Sequence, residues 1–159
     1  MSATATLDTV HRDRTAHRAK LVELLRRDPA YQSFWLLRIG FTVAPIFFGT
    51  DKFANVLVNW EKYLAPWIRN ASPLSASHTM HVVGVIEIVA GVAVAIKPRY
   101  GAYLVALWLG GIVINLLSYS GYYDIALRDF GLMLAALTLA RLASRYDPKG
   151  LKPALYREP

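Results

Sequence analysis

The chain has 159 residues, 55% of them hydrophobic and 18% charged, with no cysteine and a formal net charge of +7. That length gives one domain, and so high an apolar share excludes an ordinary soluble globular domain. Without thiols there are no disulfides, no Cys-ligated zinc, no iron–sulfur cluster and no thiol redox chemistry.

Residues 1–33 form a basic leader. Within it, residues 9–28 combine good helix formers with an apolar stripe at Leu21, Leu24 and Leu25 and stop before Pro29. This spacing predicts a cytoplasmic amphipathic helix whose Arg18, Lys20, Arg26 and Arg27 lie near anionic headgroups, a docking arm for a partner protein being the alternative. The first apolar run starts only at Phe34, behind this charged leader, which argues against a cleaved signal peptide.

Four apolar runs follow, at about 34–52, 79–97, 101–119 and 125–143. Each approaches the roughly 17 to 25 residues that a helix needs to cross a ~30 Å hydrocarbon core. The expected fold class is therefore all-α: an integral membrane four-helix antiparallel bundle over residues 34–143, in contact with the lipid bilayer. A soluble bundle would need a polar face on each helix, and Val82 to Ile96 has almost none. Between the first two runs, in 53–77, Phe53, Val56, Leu57, Trp60, Leu64, Trp67 and Ile68 recur at three- and four-residue steps. They predict an outer interfacial amphipathic helix that Pro66 breaks or ends, serving as a membrane anchor or as a lid over an outward cavity. Residues 144–159, with Pro148, Gly150 and Pro153, read as a cytoplasmic tail.

The charge is distributed as a topology signal. Thirteen Lys and Arg residues fall in 1–33, in the 97–100 turn and from Arg141 onward, against four (Lys52, Lys62, Arg69 and Arg128) on the other side. By the positive-inside rule both termini are cytoplasmic, and the basic balance needs no nucleic acid to explain it.

Polar residues inside the runs carry the functional question. Glu87 stands mid-run in MHVVGVIEIVAGVAVAI with no other formal charge, and a carboxylate there requires a partner. Arg38, Thr42, Pro45, Gly49 and Lys52 share one face of the first helix, and His81, Gly84, Glu87, Gly91 and Ala95 one face of the second. Trp108, Gly111, Asn115 and Ser118 align in the third, and Arg128, Gly131, Ala135 and Thr138 in the fourth; such small and polar faces are the ones that pack against other helices. Depth and reach predict an intramembrane ion pair between Arg38 and Glu87. A second cluster is expected at the outer rim, where Asp51, Lys52, His78, His81, Asn115, Asp124, Arg128 and Asp129 end or begin helices. It is either a structural cap or a site for a polar head group, with Lys52 and Arg128 as donors to a carbonyl or anion and His81 as a proton carrier. No spacing here specifies a di-iron, bis-histidine haem, zinc or dinucleotide site.

Taken in order, Arg38, Gly49-Thr50-Asp51-Lys52-Phe53, the Gly84 to Gly91 segment, Pro98-Arg99-Tyr100-Gly101-Ala102 and Arg128-Asp129 resemble the DoxX family of small bacterial four-helix membrane proteins. The likeness covers about Phe34 to Leu142. The resemblance implies a place in the bacterial cytoplasmic membrane beside quinone-linked redox subunits; with the outer cluster read above, it makes an outward cavity lined by Lys52, His81, Asn115 and Arg128 the expected site for a quinone head group, and redox-complex subunits or a second copy of the chain the expected partners. No agreed catalytic set accompanies the resemblance. A purely structural anchor, or a small transporter or proton pathway using Glu87, are the competing expectations.

Overall fold

The computed structural model describes residues 25–147 together with 19, 22 and 23. Most of the basic leader and the tail from residue 148, with the readings placed on them, lie outside the described residues. Among the described residues every regular element is helical: α1 Pro29–Ala54, a 3₁₀ turn Trp60–Tyr63, α2 Pro66–Ala71, α3 Ala76–Ile96, α4 Pro98–Leu117 and α5 Tyr123–Tyr146. Three of them, α1, α3 and α4, are long and apolar enough to cross a membrane. Arg128, Asp129 and Arg141 make α5 more polar than these three.

Local chemistry sets the boundaries. Asp28 caps α1 by accepting from the Ala30 and Tyr31 amides at 2.9 and 3.3 Å, and Pro29 sits where its missing N–H costs nothing. The helix therefore starts five residues before the first apolar run and ends at Asn55, whose φ of 51° is left-handed. Ser75 caps α3, and Lys97 alone separates α3 from Pro98 at the start of α4. So tight a connection demands a glycine: a Cβ on Gly101 would enter the backbone of Ala93 and Val94.

The predicted interfacial helix over residues 53–68 is not continuous. Asn55 ends α1, residues 55–59 form an irregular turn, and Pro66 begins α2 instead of ending a helix. The Asp51 carboxylate organises that turn by accepting from the Val56 and Leu57 amides at 3.1 and 3.2 Å and from the Trp60 indole at 2.7 Å. A side chain reading the loop's own amides competes with further helix, so propensity alone gives the wrong element here.

Small residues bring α1 onto α3, as their spacing predicts. A Cβ on Gly49 would lie 2.6 Å from the Gly84 carbonyl, the reverse holds for Gly84, and one on Gly91 would lie 2.8 Å from the Thr42 carbonyl. On α4 and α5 the predicted faces are rotated: Gly111 and Gly131 meet no neighbour, while Ala126, Asp129, Ala136, Leu139, Ala140 and Ala143 form the buried face of α5. Alanine, not glycine or hydroxyl residues, marks that interface. Elsewhere large apolar side chains point outward, with Leu36, Leu107 and Leu127 each more than 70% exposed, the arrangement expected where lipid is the solvent.

Near the α1 N-terminus Tyr31, Phe34, Trp35 and Tyr146 form an aromatic cluster. The Tyr146 hydroxyl donates to Asp28 at 2.7 Å, tying the start of α1 to the end of α5. This bond holds the Asp28 carboxyl below its ordinary value of 3.8.

Candidate functional site

Glu87 does have a cationic partner, and it is Lys52 rather than Arg38. The Lys52 Nζ donates to Glu87 Oε2 at 2.6 Å, with both residues buried. Arg38 instead donates to the Ala95 carbonyl at 2.6 Å and lies over the rings of Trp35 and Phe34, at 5.0 and 5.8 Å from their centroids. The physical reason is direction. Residues 38, 42 and 49 of α1 face 95, 91 and 84 of α3, so Glu87 stands eight residues, about 12 Å, from the level of Arg38. Helical side chains lean toward their own N-terminus. Arg38 and Glu87 therefore lean apart, while Lys52 and Glu87 lean toward each other.

Trp60 completes this arrangement. Its ring covers the Lys52 ammonium at 3.8 Å from the centroid while its indole N–H is held by Asp51. The buried ion pair is thus capped by an aromatic face that draws on the ring quadrupole, about 0.5–2 kcal/mol in such settings.

The rest of the predicted outer cluster is distributed among local roles. Asn115 uses both ends of its amide on the connecting segment, donating to the Tyr63 carbonyl at 2.8 Å and accepting from the Ala65 amide at 3.0 Å. Ser118 accepts from the Trp67 indole at 2.8 Å beside it. His78 is exposed and bonded to Ser75, while His81 stacks on Phe53 at 4.9 Å. Arg128 points outward and donates to Asp129 at 3.1 Å, and Asp124 lies exposed in the first turn of α5. The structure brings Asp51 and Lys52 together through Trp60, and Arg128 with Asp129; it does not converge all eight side chains on one volume. Among the described residues no group of three or more acidic or His side chains is placed to hold a metal ion.

A cavity of about 330 Å³ lies deeper, where α1 stands away from α4 and α5. Its wall is built by the Leu36 to Phe48 stretch of α1, Glu87 and Ala90 of α3, Val105 to Ile112 of α4, and Leu132 and Ala135 of α5. The wall is almost wholly apolar, and Glu87 and Trp108 supply its polar groups. Trp108 Nε1 is buried and directed at the Glu87 carboxylate, with which it interacts without reaching a hydrogen bond of good geometry. Sequence reading placed Trp108 on an interhelical face and assigned it no role; indole N–H is a donor that a small-residue stripe does not need, and that was the available signal.

Comparison with known proteins returns no match to a protein-family model, to a curated protein or to a solved structure, so the functional reading rests on this geometry.

Proposed function

We propose that the protein is a DoxX-like subunit of the bacterial cytoplasmic membrane, its four long helices spanning as an antiparallel bundle with both termini cytoplasmic, and that it is an accessory or quinone-interacting member of a redox assembly, the cavity favouring the quinone-interacting role. One observation carries this reading: an apolar cavity between membrane-capable helices that contains a carboxylate held by a buried lysine. A chain serving only as filler would lose nothing by replacing that pair with apolar residues, since removing buried charge pairs is often neutral or stabilising. The thirteen-to-four asymmetry of Lys and Arg supports the orientation.

A second reading, a structural assembly subunit without ligand, is favoured by the outer rim, where Asn115 and Asp129 already have protein partners. Purification in mild detergent, followed by solvent extraction and identification of co-purifying chains, separates the two. The redox reading expects bound quinone or redox subunits. A clean protein with neither, and with no thermal protection by added decylubiquinone, selects the structural one.

A further inference from the structure

The polar groups on the wall of the cavity beside Glu87 answer each other. Lys52 holds one carboxylate oxygen at 2.6 Å, and the Trp108 indole is turned toward the same carboxylate. The rest of the wall is hydrocarbon, and the small residues Gly40 and Ala44 of α1 and Ala135 of α5 leave its space open. Water gains little there, since it needs about two to four polar partners and cavities lined by apolar side chains stay dry. Left empty, the space would forfeit dispersion contacts along its whole lining.

Shape and depth identify what fills it. The wall follows α1 from Leu36 to Phe48, about 18 Å of helix. Its volume of about 330 Å³ is a little over twice the roughly 150 Å³ that takes a six-carbon ring, which is room for about a dozen carbons. Leu36 lies seven residues from the start of α1 and Phe48 six from its end. The cavity is therefore centred on the helix and stays within about 9 Å of the midplane of a ~30 Å hydrocarbon core. Leu36, Phe48 and Leu132 on its wall are exposed, so the mouth opens sideways between helices. At that depth a bilayer presents the ends of acyl chains and no headgroups.

We infer that the end of one phospholipid acyl chain resides in this cavity, filling the gap that α1 leaves against α4 and α5, and that it is selected by its chain and not by its headgroup. The inference rests on the membrane-spanning reading above and not on a redox role; a quinone-type ring would enter by exchange with that chain.

Trp108 lies on the wall and serves as the reporter. The full chain is reconstituted in phosphatidylcholine vesicles in which one acyl chain carries bromine either near its methyl end or near its glycerol end. The fluorescence of Trp108 is taken as the difference made by Trp108→Phe in each background. Methyl-end bromine should quench it about threefold more strongly than glycerol-end bromine, because the cavity lies at mid-depth. Gly40→Leu, where a Cβ meets nothing within 4 Å, and Ala135→Leu on the opposite wall fill the space from two sides. Each should remove most of the quenching, with circular dichroism showing the helices intact. Val43→Leu, at an exposed α1 position outside the wall, should leave it unchanged. Mass spectrometry of the detergent-purified chain should find a retained phospholipid whether phosphatidylglycerol or phosphatidylethanolamine is supplied. Quenching that survives both cavity-filling variants would reduce the contact to ordinary surrounding lipid and overturn the inference, and so would stronger quenching from the glycerol end. Retention that requires one headgroup would overturn selection by the chain.

Discussion

Replacing Glu87 with Gln leaves the Lys52 ammonium in a buried position with only an amide opposite and Trp60 above it. At 2.6 Å the attraction between the two charges is about 6 kcal/mol gross for an effective dielectric of ~20, and desolvation of both groups offsets much of it. Removing one partner is costlier than removing both, because the remaining charge stays buried; about 3 kcal/mol is expected, the lower end of the ~3–5 typical of such pairs. Lys52→Met should cost a similar amount, and the double variant Lys52→Met/Glu87→Gln far less than the sum. Reversible unfolding in mixed micelles, titrated with dodecyl sulfate and followed by far-ultraviolet circular dichroism, gives the three free energies. A coupling of about 2–3 kcal/mol between positions 52 and 87 is expected, against less than about 0.5 between 38 and 87. Arg38→Gln still costs stability on its own account, through the bond to the Ala95 carbonyl. A coupling near zero for 52 and 87, or an equally large one for 38 and 87, would refute the assignment of partners.

Gly84→Leu should cost at least ~1–3 kcal/mol, because its side chain meets the Gly49 carbonyl, the Phe53 ring and the Lys52 Cβ; the same titration checks it. Asn115→Ala should free the connecting segment: two hydrogen bonds to residues 63–65 go, and limited proteolysis should cut between residues 55 and 75 faster while the helix content is unchanged. The Asp28 carboxyl is held below 3.8 by the Tyr146 hydroxyl, so its contribution is fully present above that pH and disappears as pH falls through the lower folded value. Tyr146→Phe should flatten that acid limb of the stability profile, measured by thermal melts between pH 2 and 6.

Much of the fold is legible in the residues, for identifiable reasons. Apolar run length gives the long helices, and the paired steps of Gly49, Gly84 and Gly91 give the α1–α3 contact, because close backbone approach has few other solutions. Asp28-Pro29 announces the true start of α1, but as a cap signal inside a charged stretch rather than as apolarity. The α5 face is harder to read, since alanine occurs on both packed and exposed sides and only the packing distinguishes Asp129 from its neighbour Arg128. In the site, the existence of a partner for Glu87 follows from burial cost alone. Its identity depends on helix register and side-chain lean, and counting depth from helix ends ignores the second. The cavity is invisible to any one-dimensional reading, because it arises where α1 fails to close on α4 and α5. Pro45 in its wall, which cannot donate to the Phe41 carbonyl, marks the stretch of α1 concerned.

The central claim, that the apolar cavity beside Glu87 receives a quinone-type ring, is tested most directly by photolabelling the full chain in membranes with an azido-quinone and mapping the adducts by mass spectrometry. The account predicts label in the α1 stretch from Leu36 to Phe48 and in Val105 to Ile112 of α4, competed by decylubiquinol. Label confined to the rim, at residues 53–67 and 115–128, would contradict it.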